Sequence, residues 1–290
     1  MQKKHWIVFI LLGAIWSASF LWIKIALAEV GPITLVAYRA TFGLITGLAV
    51  AIFLRIPLPR DLKTWRIFAL LGLINVALPF FFINWGEQRI DSANASILNA
   101  TVPLFTVILS YFFLAEEKLS MPKLIGLLIG FGGVVLLLSK DFSAGAHNSI
   151  IGQAAVILAS FLYASSYVYA RIHTADVPGQ IRGMLPLFSA SAVMLVSAPL
   201  VESPIVLPQL PITWIALLWL GVLSTGVAMI MQYYLVHEIG PTRATLVTYI
   251  FPLGGVLLGV IFLHEQLSWQ LVTGATLIIS SIAVVNWKKK

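Results

Sequence analysis

Long apolar segments separated by short polar connections follow one another along the whole chain. Each holds about twenty residues, which as a helix is long enough to cross the hydrocarbon core of a bilayer. The pattern predicts ten such helices, at approximately residues 5–28, 32–54, 65–86, 92–114, 121–139, 150–171, 180–201, 212–236, 242–263 and 268–287. The predicted fold class is therefore an all-α integral membrane protein with ten transmembrane helices.

Composition supports a membrane location and removes several kinds of chemistry. The 290 residues are 60% hydrophobic and 10% charged, whereas soluble domains carry about 25% charged residues. The chain has no cysteine, which excludes disulfides, thiolate chemistry and iron–sulfur clusters. It also lacks a phosphate-binding glycine loop, a zinc-type histidine pair and a nucleophile elbow. We therefore expect no cofactor, no metal and no enzymatic activity.

The distribution of basic residues predicts the orientation in the membrane. Of the 18 lysines and arginines, fourteen fall on the side that holds both termini, two fall on the opposite side, and Lys24 and Arg39 lie within spans. Basic loops stay in the cytoplasm, so we expect both termini there and the protein in the cell inner (plasma) membrane. This distribution accounts for the net charge of +7 without nucleic acid as a partner.

The second half of the chain repeats the first. Matching positions occur in the same order in both halves: Trp16 with Tyr163, Lys24 with Arg171, Trp65 with Trp214, Gly72 with Gly221, Pro103 with Pro252, and Glu117 with Glu265. We expect the repeats to occupy residues 1–141 and 142–290. Because each holds five spans, an odd number, the second must be inverted relative to the first. Inverted repeats are typical of secondary transporters, whose substrate site lies near the midplane between the repeats.

The motifs within these repeats resemble a known family. They are Trp16-Ser-x-Ser-Phe20 with Lys24, Pro32…Arg39, and the paired segments Pro103…Glu117-x-Leu-Ser and Pro252…Glu265-x-Leu-Ser. The chain is identified by them as a member of the drug/metabolite transporter superfamily, in its EamA group of ten-span carriers. The resemblance covers about residues 6 to 287. It implies two five-helix bundles around a central cavity, with amino acids, metabolites or drugs as substrates, commonly exported.

Three charged residues are candidates for a gate. Lys24, Arg39 and Glu87 are predicted to lie toward the outer ends of the first three spans. A charge within a span is costly unless it pairs or reaches water. The three could form a cluster that opens and closes during transport, or Lys24 or Arg39 could bind a substrate carboxylate. Alternatively, the basic side chains extend to the lipid headgroups and serve packing alone.

Polar and aromatic residues recur at helical spacing and indicate a cavity. The candidate substrate-binding residues are Trp16, Ser19, Phe20, Phe81, Asn84, Asn99, Tyr163, Tyr167, Gln232 and Tyr249. Lipid cannot satisfy an amide, so these faces should meet one another or water. The alternative is that they join helices, at about 0.6 kcal/mol for each hydrogen bond. Pro103 and Pro252 occupy matching places and are either hinges or fixed kinks.

These features together predict a secondary-type transporter of a small organic solute. An amino acid or related metabolite is favoured because the cavity is aromatic, amide-lined and mostly uncharged. We expect export by alternating access, and a monomer, since two repeats already enclose a cavity. No acidic residue lies in the middle of a span, which favours a facilitator or exchanger over a strict proton antiporter. The alternatives are an exporter of drugs or organic cations, and an intramembrane enzyme acting on lipid-linked substrates.

Overall fold

The computed structural model describes residues 3–114, 120–143, 147–174, 177, 179–204, 207–239, 244, 247–248 and 250–285. Within these ranges the chain forms ten helical stretches and no β-strand. The helices are α1 Lys3–Ala26, α2 Pro32–Phe53, α3 Leu62–Glu87, α4 Ser92–Phe113, α5 Met121–Ser143, α6 His147–His173, α7 Gly179–Val201, α8 from Pro211 to Ile239, α9 Ile250–Leu263 and α10 Trp269–Val285.

The helices have the length and the apolar surface that a bilayer requires. Eight of them are long and apolar enough to cross a membrane, and α9 is a shorter apolar helix. Large apolar side chains remain exposed on the outside of the bundle, with Phe53 86% and Leu200 77% exposed. An all-α membrane fold is therefore confirmed. The predicted boundary between the repeats, at residues 141 and 142, stays a prediction.

Two helices contain π-helical turns at matching positions. In α3 the segment Leu73–Ala77 is π-helical, and in α8 the segment Trp219–Val227 is π-helical. The repeat offset of 149, taken from Trp65 and Trp214, places the first segment on residues 222–226, inside the second. A π turn interrupts the regular α-helical ladder and is frequent at functional sites.

The helices pack in a pattern with approximate two-fold symmetry. Helix α1 packs on α8 and α9, and its counterpart α6 packs on α3 and α4. Likewise α2 packs on α8, and its counterpart α7 packs on α3. The symmetry-related pairs α2 with α7, α4 with α9, and α5 with α10 also contact each other. Each repeat therefore packs largely against the other, and the central site lies between them.

Matching tryptophans sit at opposite ends of the bundle. The indole Nε1 of Trp65 donates to the Pro59 carbonyl at 3.0 Å, and that of Trp214 donates to the Pro208 carbonyl at 3.0 Å. We call the end where α1 finishes and α2, α4 and α8 begin the Glu29 end. The opposite end, where α1 begins and α8 finishes, is the Glu238 end. The same local contact therefore occurs once at each end, as inversion of the repeat requires.

Candidate functional site

A symmetric pair of hydrogen bonds joins the π turns to the first helix of the opposite repeat. Ser19 on α1 and Ser224 on α8 are 2.6 Å apart between their hydroxyl oxygens. The Ser166 hydroxyl on α6 donates to Asn75 Oδ1 on α3 at 3.0 Å. Ser19 matches Ser166 at the repeat offset of 147, and Asn75 matches Ser224 at the offset of 149. All four residues are buried. The same contact between the two repeats therefore occurs twice at the centre of the molecule.

Arg39 breaks this symmetry and lies against the π turn of α8. Its Nε donates to the Thr225 hydroxyl at 3.0 Å, and its Nη2 donates to the Ser224 hydroxyl at 3.3 Å. Its guanidinium carbon stands 3.7 Å from the centre of the Phe80 ring, a cation–π contact. Arg39 is only 5% exposed. The matching position in the second repeat is Pro186, so this buried charge is present in one repeat only.

The charge of Arg39 is solvated by hydroxyls and a ring, not by an acid. Among the described residues it forms no ion pair, and its Nη1 group has no hydrogen-bond acceptor. Glu87 attracts it electrostatically without contact. Buried charges are generally paired or hydrogen-bonded on all sides. Arg39 therefore retains the capacity to bind an anion.

Aromatic rings stand on two sides of this group. Trp16 donates from Nε1 to the Ser224 carbonyl at 2.8 Å and packs edge-on against Phe251 at 6.0 Å between ring centres. Phe20 is buried against the same Phe251 ring. On the other side Tyr163 lies 6.5 Å from Phe80 and stacks on Tyr167 at 6.4 Å. We call Trp16, Ser19, Arg39, Phe80, Tyr163, Ser224 and Thr225 the Arg39 cluster.

The remaining predicted binding residues lie away from this cluster or join helices. Asn84 is fully buried and donates to the Pro32 carbonyl at 3.1 Å, while its Oδ1 accepts no hydrogen bond from the described residues. Asn99 Oδ1 accepts from the Ser160 hydroxyl at 3.3 Å. Phe81 packs on Phe82, and the buried Gln232 leaves its Oε1 without a described partner. Tyr249 lies outside the described residues.

Lys24 and Glu87 lie together at the Glu29 end. The Lys24 ammonium donates to the backbone carbonyls of Glu87 at 2.5 Å and Ile90 at 2.7 Å, and therefore joins α1 to the end of α3. The Glu87 side chain is completely buried, and neither carboxyl oxygen accepts a hydrogen bond from the described residues. The predicted charge cluster is thus split, because Arg39 lies deeper and contacts α8 instead.

At the Glu29 end, three carboxylates each bind at the start of a helix that belongs to the other repeat. Glu202 follows α7 and accepts from the N–H groups of Ile33 and Thr34, each at 2.8 Å, where α2 begins. Glu265 follows α9 and accepts from the N–H groups of Ser92 at 2.7 Å and Ala93 at 3.0 Å, where α4 begins. The first N–H groups of a helix lack partners within it and carry the positive end of its dipole.

Glu29 completes this set at the start of α8. Its carboxylate accepts from the Thr213 hydroxyl at 2.5 Å and from the Leu210 N–H at 3.1 Å and the Gln209 N–H at 3.3 Å. The pKa of the Glu29 carboxyl lies below its ordinary value because of the Thr213 hydroxyl, with smaller contributions from these amides and an opposing one from burial. We call Glu29, Glu202 and Glu265 the clamp glutamates.

The Glu238 end is held differently. Glu238 on α8 pairs with His5 at 3.1 Å and with Lys4 at 3.8 Å on α1, and the Glu238 and Lys4 side chains are 31% and 58% exposed. Next to it a narrow crevice opens between α2, α7 and α8, lined by Gly43, Gly47, Ala51, Met184, Met229 and Ile230. A second crevice lies at the Glu29 end and is lined in part by Arg89, Asn94, Gln266 and Gln270.

The two candidate hinge prolines are buried and stand beside irregular backbone. Helix α4 consists of Ser92–Asn99 and Val102–Phe113, and the interruption directly precedes Pro103. Pro252 lies in the first turn of α9, just after a short 3₁₀ turn at Val247 and Thr248. The interrupted ladder is where a bend costs least, although a hinge function stays a prediction.

Sequence reasoning missed several residues that the structure brings to these places. Ser224 and Asn75 were not selected because neither belongs to the α-helical stripes of their spans, since π turns shift the spacing. They do match each other under the repeat offset, which was the available signal. Glu29 and Glu202 lie at the ends of predicted spans, where a polar residue gives no distinct signal.

Comparison with known proteins places the chain in a transporter group. The pattern of the EamA-like transporter family matches residues 4–139 and again residues 150–287. An uncharacterized transporter of Archaeoglobus fulgidus is 29% identical over 295 residues, covering 99% of this chain and 100% of that one. The uncharacterized inner membrane transporter YedA of Escherichia coli K12 is 28% identical, covering 88% and 81% of the two chains.

A more distant relative and a solved structure agree with this placement. The uncharacterized transporter YoaV of Bacillus subtilis is 22% identical over 92% of this chain and 91% of its own length. A crystal structure titled only as that of a protein superposes with a TM-score of 0.71 at 22% identity, covering 99% of this chain and 98% of the other, which shows a shared fold. With both halves of the sequence matched, the chain belongs to the EamA-like transporter family and is a multi-pass membrane protein.

Proposed function

We propose that this protein carries a small organic solute with a carboxylate group, an amino acid or a related metabolite, through the Arg39 cluster. Transport would be outward across an inner membrane, with both termini in the cytoplasm and the Glu29 end facing outside. One protomer would suffice, because the cluster is built from both repeats of the same chain. The observation that carries the proposal is that Arg39 is buried and forms no ion pair among the described residues.

The chemistry of the cluster favours a carboxylate over other ligands. Planar guanidinium groups bind carboxylates through parallel hydrogen bonds, and Nη1 of Arg39 has no acceptor among the described residues. The rings of Trp16 and Tyr163 could cover the apolar part of a small solute. An amino acid meets both requirements.

The location of the cluster supports transport by alternating access. Arg39 lies on α2, and its partners lie on α8 of the other repeat. Relative movement of the repeats would therefore change the ligand contacts directly. The contacts of Glu202 and Glu265 across the repeats would have to break and form again in such a cycle.

An exporter of organic cations is the alternative function. Glu87 is a buried acid at the Glu29 end and could attract a cation. Lys24 and Arg39 both act on it electrostatically, however, and their positive charges oppose a cationic substrate. An intramembrane enzyme has less support, because the Arg39 cluster contains no nucleophile paired with a base.

Uptake into proteoliposomes tests the proposal. A panel of labelled amino acids, each compared with its uncharged carboxamide, should identify a solute that is transported only as the carboxylate. Arg39→Met should lower its uptake at low concentration about a hundredfold, the equivalent of losing two charge-assisted hydrogen bonds. Arg89→Met is the matched control, since Arg89 also covers a ring, that of Trp85, at 3.5 Å but lies at the Glu29 end.

Several results of the uptake assay would contradict the proposal. Equal transport of carboxylate and carboxamide, or equal losses in the Arg39 and Arg89 variants, would contradict the assignment of Arg39 as the carboxylate site. Transport of an organic cation that survives Arg39→Met and fails in Glu87→Gln would establish the alternative. Repeating the assay with an imposed pH gradient distinguishes a facilitator or exchanger from a proton-coupled carrier.

A further inference from the structure

The crevice at the Glu238 end runs along α2 toward the Arg39 cluster. Its lining follows α2 from Ala51 through Gly47 to Gly43. These positions span eight residues of helix, which is about 12 Å along the helix axis. Gly43 lies four residues after Arg39 and therefore about one helical turn from it. The crevice thus extends from the end where α2 finishes to within one turn of the buried guanidinium group.

The inner part of the crevice adjoins residues that touch Arg39. A methyl group on Gly43 would lie 2.6 Å from Thr225 Cγ2, so this glycine packs directly on the threonine whose hydroxyl accepts from Arg39 Nε. On the α7 side, Leu187 lines the crevice and packs in the same apolar cluster as Phe80, whose ring covers the guanidinium group. The crevice therefore ends beside two side chains that contact Arg39.

Two methionines narrow this crevice. Its described lining consists of glycines, aliphatic side chains, Met184 on α7 and Met229 on α8, without a charged side chain. Met184 faces Gly47, where a methyl group would lie 2.9 Å from Met184 Cγ. A methionine side chain has three rotatable bonds and adapts to irregular spaces. Rotation of these two side chains could therefore widen the crevice without any movement of a helix.

We propose that this crevice is the route by which solute passes between the Glu238 end and Arg39, and that Met184 and Met229 form a movable plug that limits the size of its side chain. The proposal rests on the proposed transport function and adds a substrate class, amino acids with an uncharged side chain of limited size. A charged side chain would lose its water in the apolar crevice and gain no partner there. The carboxylate group of the solute loses water as well, but Arg39 receives it at the inner end.

The crevice at the Glu29 end does not offer an equivalent route in this structure. Its lining includes Arg89, Asn94 and Gln266 together with residues of α5, α6 and α10. None of its lining residues belongs to α2 or α8, the two helices that hold Arg39 and its hydroxyl partners. Of these two crevices, the one at the Glu238 end is therefore the one that approaches the proposed carboxylate site.

Cysteine labelling tests the route without any solute, because the chain contains no cysteine. Leu187→Cys is the reporter, since Leu187 is 1% exposed and lies at the inner part of the crevice. Ala51→Cys reports on the part nearest the end of α2. The reaction rate with methyl methanethiosulfonate, a small uncharged reagent, is measured on the purified protein in lipid nanodiscs. Both ends of the bundle are reachable in this preparation.

Removal of one methionine should open the route. Met184→Ala should accelerate Leu187→Cys labelling about tenfold, the effect expected when a side chain no longer has to leave its preferred rotamer to let the reagent pass. Labelling of Ala51→Cys should not change, because the reagent reaches it before the plug. Met194→Ala is the matched control, since Met194 is also buried on α7 and packs in the same cluster as Leu187, but does not line the crevice.

Addition of one methyl group should have the opposite effect. Gly47→Ala pushes Met184 into the crevice, so it should slow Leu187→Cys labelling by about as much as Met184→Ala accelerates it. The double variant with both changes should return to the parent rate, because the added methyl group then has no methionine to displace. This pair of opposite effects separates a blocked route from a general loosening of α7, and Gly47→Ala decides the matter if Met184→Ala does not fold.

The possible outcomes separate the route from the proposed function. Unchanged Leu187→Cys labelling in folded Met184→Ala and Gly47→Ala protein would overturn the route, even if carboxylate transport depends on Arg39. Equal acceleration by Met194→Ala would overturn it as well. Labelling that changes as expected would support the route even if no amino acid is transported, because the assay contains no solute.

Solute uptake tests the substrate class. Across uncharged amino acids of increasing side-chain size, Met184→Ala should raise kcat/KM most for the largest, and Gly47→Ala should lower it most for the same solutes. Such a change in the order of preference is not expected from a loss of stability, which lowers all rates together. Transport of lysine or aspartate as fast as that of an uncharged amino acid of similar size would overturn the assignment of the class.

Discussion

The two ends of this bundle are built from matching helices but are closed in different ways. At the Glu29 end, Glu202 and Glu265 bind the first N–H groups of α2 and α4 across the repeat boundary, and Glu29 binds Thr213 and the two N–H groups just before α8. At the Glu238 end, Glu238 of α8 pairs with Lys4 and His5 of α1 across that boundary, and residues 115–119, 175–176 and 240–243 of this end lie outside the described part of the chain. Hydrogen bonds to charged groups contribute about 1.5–3 kcal/mol, whereas exposed ion pairs contribute about 0–1 kcal/mol. Similar helices thus give unequal ends because a few terminal residues differ.

Of the changes considered, Gly31→Ala should weaken closure of the Glu29 end most strongly. A methyl group at this position would lie 2.3 Å from the Glu202 carboxyl group, and the backbone φ of −69° accepts alanine. Glu202 would have to leave both amides of α2. We expect about a hundredfold faster maleimide labelling of a cysteine that replaces Ser92, a fully buried residue at the same end, corresponding to two lost charge-assisted hydrogen bonds.

The matched control is another glycine that has free space around it. A methyl group on Gly132 of α5 would meet nothing within 4 Å, so Gly132→Ala should leave the labelling rate unchanged. If Gly31→Ala also has no effect while the protein remains folded, Glu202 does not contribute to closure of the Glu29 end.

Thr213→Val should weaken the Glu29 clamp in a pH-dependent manner. The Thr213 hydroxyl is the main cause of the lowered pKa of Glu29. An acid with a lowered pKa stabilises the closed form above its ordinary pKa, and this contribution is lost as the pH falls through the lowered value. Without the hydroxyl the pKa should return toward its ordinary value, so the clamp should be lost at a higher pH.

Hydrogen exchange of the Gln209 and Leu210 amides measures this clamp locally. At neutral pH, protection in Thr213→Val should fall only about threefold, because Glu29 is partly exposed and water competes for its charge. The pH at which protection is lost should rise. An acid response identical to that of the parent protein would mean that Thr213 does not control the ionisation of Glu29.

Glu238→Gln should have the smallest effect and sets the baseline for the Glu238 end. Its partners Lys4 and His5 retain access to water or to neighbouring polar groups, so the melting temperature and the labelling of Ala51→Cys should stay within about twofold of the parent. A large increase in the labelling of a cysteine that replaces Ala51 would show that this pair holds the Glu238 end closed. Both ends would then be held closed by carboxylate contacts.

Much of the fold could be predicted because apolar periodicity and repeats are long-range signals. Ten spans, their order and the inverted repeat follow from lengths and matching positions such as Trp65 and Trp214. Four of the candidate residues also lie in the Arg39 cluster, namely Trp16, Ser19, Arg39 and Tyr163. Their spacing within regular α-helices is what made them visible.

The partners of those residues could not be predicted by helical spacing. Ser224 and Asn75 lie in π turns, where the period of 3.6 residues fails. The clamp glutamates bind backbone N–H groups, which carry no side-chain signal in the sequence. Whether Arg39 would face Glu87 or the hydroxyls of α8 depended on a depth difference of about one helical turn, which span boundaries do not define.

The clamp glutamates also affect how readily such a carrier binds solute from each side of the membrane, but not the concentration ratio that it can reach. In a carrier of the proposed kind, contacts that hold one end closed lower the concentration at which solute from the other side half-saturates the protein. The free energy released when the clamps close is returned when they open, once in every turnover. Uneven ends can therefore change rates and half-saturation on the two sides of the membrane, while the final ratio of concentrations depends only on the gradients that drive transport.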